Sequence, residues 1–221
     1  MNSPAKYIDH TLLKSDATSA DIDSLCEEAV EHGFATVCVP PSYVSQASRL
    51  LYGSGVAVCT VVGFPLGYQT TESKVFEARQ AVSAGAAEVD MVINLGFVRN
   101  EDFNAVGDDV RRVVATAENA VVKVIIECCL LNNSEKRKLV EIVAESGAHY
   151  VKTSTGFAAS GATLEDVKLL ADSSAGRIQV KAAGGVRDWV SCRDMIAAGA
   201  DRIGTSSGVI IMREWREEAE L

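Results

Sequence analysis

The chain has 221 residues, 48% of them hydrophobic and 23% charged, with a formal net charge of −9 at pH 7. That composition excludes a disordered or fibrous chain. The acidic balance, with no run of Lys and Arg, argues against nucleic acid as a partner, because neutralising phosphates takes a basic face. A small anionic ligand would need positive charge that is local rather than global. No stretch approaches the roughly eighteen uninterrupted apolar residues of a membrane span, and Met1 to Asp9 lacks the apolar core of a signal peptide. The expected location is the cytoplasm, with no membrane partner. The six cysteines (Cys26, Cys38, Cys59, Cys128, Cys129, Cys192) show neither C-x-x-C spacing nor the density of a disulfide scaffold and are read as reduced, Cys38 as a small core hydrophobe. His10, His32 and His149 form no paired ligand motif, so no metal site is expected.

In chain order, β-branched apolar runs recur about every 20 to 35 residues, with segments of helical spacing between them. The eight runs are Tyr7 to Leu12, Ala35 to Val39, Val56 to Val62, Glu88 to Ile93, Val121 to Glu127, His149 to Thr153, Arg177 to Ala182 and Asp201 to Thr205. The first is the weakest, being short and half polar, and it is included because it completes a count of eight. After it, Ile22, Leu25, Cys26, Ala29 and Val30 fall at i, i+3, i+4, i+7 and i+8, one apolar stripe of a helix that packs on a sheet. Gly33, Gly85, Gly147 and Gly199 each close a helical segment shortly before the next strand, a weak internal repeat. Thr163 followed by Asp166 reads as a helix N-cap with an acid in the first turn.

Alternating β and α units without a linker predict one α/β domain over 1–221, a closed (β/α)₈ TIM barrel of parallel strands, compact against the about 250 residues that are usual. An open doubly wound sheet is the alternative, but G-x-G-x-x-G is absent after the first strand. The mostly charged tail from Arg213 to Leu221 is expected to fray.

A barrel does its chemistry at the C-terminal ends of its strands. Lys123 in "VVKVIIE", Lys152 in "YVKTSTG" and Lys181 in "QVKAAGG" each sit inside an apolar strand, 29 residues apart. Lysine is almost never buried without a purpose. The alternation of strand residues, with Val151 and Val180 facing the helices, turns Lys152 and Lys181 into the lumen. Burial and a like-charged neighbour both favour the neutral amine that attacks a carbonyl, whereas a plainer reading has each lysine snorkel to the rim or pair with Asp90 or Glu127. Asp90 and Asp9 are strand carboxylates that need cationic partners if buried, and Asp90 either shuttles a proton or forms a structural ion pair. Gly184-Gly185 follows the seventh strand, and Gly204-Thr205-Ser206-Ser207-Gly208 follows the eighth and opens a helix. Both are places where barrels bind phosphate through backbone N–H groups, and Thr155-Gly156 could complete the cradle.

Together "VKTSTGF", "VKAAGGVRD", "EVDMVIN", "IDHTLL" and "TVVGFPLG" resemble the deoxyribose-phosphate aldolase family of class I aldolases over nearly the whole chain. The resemblance implies that Lys152 forms a Schiff base, Lys181 lowers its pKa and Asp90 takes part in proton transfer. It also implies reversible cleavage of 2-deoxyribose 5-phosphate, in deoxyribose phosphate breakdown, without metal or organic cofactor. Asp9 and Thr11 match family positions near the substrate, and Thr155, Gly156, Gly184, Gly185, Gly204, Ser206 and Ser207 are the remaining candidate binding residues. The expected partners are the sugar phosphate and the aldehyde, with a homo-oligomer, a dimer, as the assembly. Where the family commonly carries Thr after "GGVR", this chain has Asp188, which weakens an anion site or, as preferred here, caps the next helix. Two competing readings are another phosphate-handling barrel enzyme and a non-catalytic sugar-phosphate-binding barrel.

Overall fold

The computed structural model describes residues 3–220. In chain order it contains β1 (Ile8–Thr11), α1 (Ser19–His32), β2 (Thr36–Cys38), α2 (Val44–Leu50), β3 (Ala57–Val62), α3 (Thr71–Ser83), β4 (Glu88–Val92), α4 (Leu95–Arg99), α5 (Phe103–Thr116), β5 (Val121–Ile125), α6 (Asn133–Glu145), β6 (Tyr150–Lys152), α7 (Leu164–Ser174), β7 (Gln179–Ala183), α8 (Trp189–Ala197), β8 (Arg202–Thr205) and α9 (Gly208–Ala219). Each strand pairs in parallel with its sequence neighbours, and β1 pairs with β8 to close the barrel. The eight-stranded TIM barrel expected from the sequence is the observed fold.

The alternation along the strands divides the molecule into two zones. Ile8, Val37, Val58, Val89, Val122, Val151, Val180 and Ile203 face outward and share one core with the helices. Their neighbours face the lumen, where Asp9, Glu88, Asp90, Lys123, Lys152 and Lys181 are all buried. The half-polar first strand follows from this. Asp9 points into the lumen, while His10 on the other face meets Glu28 of α1 at 2.6 Å.

Helix starts follow the capping chemistry in the sequence. Thr163 accepts from the Asp166 backbone N–H at 3.1 Å. Asp188 forms a reciprocal capping box with Ser191, its carboxylate accepting from the Ser191 N–H at 2.7 Å. The departure at Asp188 is thus a helix cap.

Three expectations are corrected. The strands are shorter than the apolar runs, and β5 stops at Ile125 because Glu127 takes a left-handed backbone (φ 56°) that leaves the ladder. The seventh strand starts at Gln179 rather than Arg177. The tail expected to fray from Arg213 is helical as far as Ala219: α9 continues to that residue, Trp215 packs against the core, and Glu214 and Glu218 accept hydrogen bonds from the backbone and indole N–H of Trp189. Leu221 lies outside the described residues.

Candidate active site

Six lumen side chains form a closed ring of alternating charge. Arg202 donates to Asp9 Oδ1 at 2.7 Å and lies 3.4 Å from the Glu88 carboxylate. Glu88 is 2.5 Å from Lys123 Nζ, and Lys123 donates to Asp90 Oδ1 at 2.8 Å. Asp90 Oδ2 accepts from Lys181 at 2.7 Å, and Lys181 returns to Asp9. Lys152 is the seventh member, donating to the same Asp90 Oδ2 at 2.7 Å.

Strand register places these groups. Lys152 and Lys181 are direct partners across β6 and β7, and Asp90 and Lys123 are partners across β4 and β5. Lys123 pairs with Tyr150 rather than Lys152, so the equal sequence spacing of the lysines hides a two-residue stagger that sets Lys123 one inward position deeper.

The ring is charged despite its burial. Burial opposes ionisation of Asp9 and Asp90, but the surrounding Lys181, Lys123 and Arg202, or Lys123, Lys152 and Lys181, hold both carboxyls below their usual range. Burial likewise opposes the Lys181 and Lys123 ammonium groups, yet Asp9 and Asp90 hold both well above the ordinary lysine value. Lys152 and Lys181 therefore do not face each other bare; a shared carboxylate oxygen of Asp90 lies between their Nζ atoms.

Above the ring is a cleft of about 300 Å³ at the C-terminal ends of the strands, lined by Lys152, Thr11, Thr155, Gly156, Gly184, Gly185, Gly204 and Ser206. Lys152 is the one ring member that reaches it. Asp9, Asp90 and Lys181 are 0% exposed and lie beneath, so Asp9, expected at the substrate, instead supports Lys181 and Arg202. Ser207 does not line the cleft, its N–H being spent on Thr205 Oγ1 at 2.9 Å, and neither it nor Ser206 caps α9 through its side chain. Gly204 leaves room for Lys181, whose Cε would lie 3.1 Å from a Cβ there.

Gly161 approaches the cradle so closely that an added Cβ would lie 2.1 Å from the Gly184 carbonyl oxygen. Thr155 donates its hydroxyl to Glu127 at 2.5 Å and accepts from the Phe157 N–H at 3.1 Å, and Thr11 donates to the Asp9 carbonyl at 2.9 Å, so each hydroxyl keeps acceptor capacity but has no proton left to give. Among the described residues one trio, Cys38, Cys59 and Asp90, brings three potential metal-ligand atoms within 4.8 Å. Lys123 lies 2.8 Å from Asp90 and 3.3 Å from Cys59 Sγ, and the crowd of ammonium groups makes the trio a poor cation site. Cys38 itself lies in the lumen with Cys59 and Val61, apart from the main core.

Residues 4–215 match the model of the DeoC/LacD family of aldolases. A protein of Syntrophotalea carbinolica named deoxyribose-phosphate aldolase is 57% identical over 221 residues, covering all of both chains. The chain belongs to the DeoC/LacD aldolase family. It is accordingly an aldolase, a carbon–carbon lyase. A solved structure described as "QR15, an Aldolase" superposes with a TM-score of 0.95 at 44% identity, covering 100% of this chain and 99% of that one. The tetrameric deoxyribose phosphate aldolase of Aeropyrum pernix superposes with a TM-score of 0.91 at 37% identity, covering 97% and 91%.

Four charged groups of this aldolase's site carry no motif in the sequence that marks them. Arg202 and Glu88 stand at strand starts, where charged residues are ordinary, and only the barrel's closure brings them together. Lys14 and Arg187 line the cleft as cations; the signal for Arg187 was its place two residues after Gly184-Gly185.

Proposed function

We propose that this aldolase reversibly cleaves 2-deoxy-D-ribose 5-phosphate to D-glyceraldehyde 3-phosphate and acetaldehyde through a Schiff base on Lys152, in the breakdown of deoxyribose phosphate. The observation that carries this reading is the position of Lys152, 4% exposed at the floor of the cleft with Asp90 2.7 Å from its Nζ. As the neutral amine, Lys152 attacks the C1 aldehyde, and loss of water gives a protonated imine that serves as electron sink. The C3 hydroxyl loses its proton, the C2–C3 bond breaks, and its electrons form the enamine of acetaldehyde while C3 becomes the aldehyde of the phosphorylated product. Protonation at C2 and hydrolysis release acetaldehyde and the free lysine. Asp90 and Lys181 exchange protons with the reacting groups through the oxygen that both lysines share.

The backbone N–H groups of Gly184 and Gly185 and the loop at Ser206 hold the phosphate, with Lys14 and Arg187 supplying local positive charge in a chain of net charge −9. The acceptor hydroxyls of Thr11 and Thr155 receive substrate hydroxyls. The setting is the cytoplasm and the assembly a homo-oligomer, with a dimer expected. The test is cleavage of 2-deoxyribose 5-phosphate by the purified protein, before and after exhaustive EDTA treatment. Equal amounts of the two aldehydes, at an unchanged rate after chelation, are expected. No cleavage, or a loss that added zinc restores, would overturn the reading.

A further inference from the structure

The ring of Arg202, Asp9, Lys181, Asp90, Lys123 and Glu88 contains three cations and three carboxylates, each within 3.4 Å of its neighbours. It is electrically closed without Lys152, whose ammonium would leave one unbalanced positive charge in the lumen. Glu88 and Arg202 occupy the end of the ring away from the cleft, and neither lines it. They touch the reacting nitrogen only through the intervening ion pairs.

We infer that Glu88 and Arg202 are positioning residues that act through the charge balance of this closed ring to make Lys152 the lysine that gives up its proton. The inference rests on the Schiff-base reading above. The groups around Lys152 are Asp90 on β4, which it shares with Lys123 on β5 and Lys181 on β7, and the thiol of Cys38 on β2; Cys59 on β3, its thiol pushed up by burial, bonds to Asp90 at 3.2 Å. Glu88 and Arg202 act on it from behind these, and their substitution changes the ring's total charge by one unit in opposite senses. A merely structural role would lower activity in both variants without opposite signs.

The sign is fixed by counting. Glu88→Gln leaves the ring at +1, which repels the Lys152 ammonium and moves its deprotonation to lower pH. Arg202→Gln leaves the ring at −1, which holds the proton and moves deprotonation to higher pH. A unit charge about 10 Å from an amine, at an effective dielectric of about 20, moves its proton equilibrium by roughly one pH unit.

The experiment measures, against pH, the rate at which borohydride traps the imine formed with acetaldehyde, together with kcat/KM for 2-deoxyribose 5-phosphate. Wild type, Glu88→Gln, Arg202→Gln and Arg202→Lys are compared, with Tm and circular dichroism confirming that each is folded. The acid limb should move down by about one unit in Glu88→Gln, up by about one in Arg202→Gln, and stay in place in Arg202→Lys. Shifts of the same sign in the two neutralising variants, or no shift in folded Glu88→Gln, would overturn the inference. Failure of wild type to form any trappable imine would instead overturn the Schiff-base reading, and this inference with it.

Discussion

Lys181 shares an oxygen of Asp90 with Lys152 and reaches Asp9 on its other side. Replacing it by Leu removes a cation from a network that balances without Lys152, so the Lys152 ammonium is favoured. Cleavage by Lys181→Leu should be slowed more than tenfold at pH 7 and recover partly in base. A pH–rate profile that keeps the wild-type acid limb would show that Lys181 does not govern the nucleophile. The lumen positions of Lys152, Lys181 and Asp90 are legible in the sequence because a charged side chain inside an apolar strand advertises its cost of burial. Lys123 stood out equally, but its depth was hidden by the stagger between β5 and β6, which no sequence spacing displays. The sequence points Asp9 at the substrate and the structure sets it beneath the cleft, because strand alternation gives the face a residue occupies and not its height in the barrel.

At the scale of elements, the turn from β7 into α8 carries the phosphate proposal. Gly185 has φ +86°, and nothing lies within 4 Å of where its Cβ would be, so the space there is open to a ligand while the backbone disfavours a branched residue. Gly185→Val should raise KM for 2-deoxyribose 5-phosphate at least tenfold and affect the slow reaction of unphosphorylated 2-deoxyribose much less. Equal losses on both substrates would point to a damaged fold or to a catalytic role. Helix α9 offers a second test. Truncation after Met212 removes Trp215 and both carboxylates that bind Trp189, and should lower Tm by roughly 5–10 °C. An unchanged Tm would mean that this helix contributes no packing. Its continuation was readable in Gly208, Ile211, Met212 and Trp215 at i, i+3, i+4 and i+7. The charges on its solvent face mask that stripe in the sequence.

For the whole molecule, the eight βα units were legible from recurrence and glycine-closed helices, since each strand buries one face on the helices. What could not be read was which polar residues meet across the lumen, because closure joins β1 to β8 and sets Asp9 against residues nearly two hundred positions away. The ring also gives stability a pH window. Asp9 and Asp90 have lower proton affinity folded than unfolded, so their contribution is complete above the unfolded value of 3.8 and is lost as pH falls below it toward the folded values. Lys181 and Lys123 bind their protons more tightly when folded, so theirs is complete below 10.5 and is lost only as pH rises through the higher folded values. Tm should therefore hold level between about pH 5 and 9 and fall below about pH 4, as differential scanning calorimetry would record. A Tm maintained at pH 3 would mean that the lumen carboxylates are not ionised in the fold.

The covalent step is most directly tested by reducing the enzyme with borohydride in the presence of acetaldehyde and locating the adduct by peptide mass mapping. A single ethyl group on Lys152, blocked by prior incubation with 2-deoxyribose 5-phosphate only to the extent that the sugar itself is trapped there, is the expected result. An adduct on Lys123 or Lys181, or no adduct on any lysine, would contradict it.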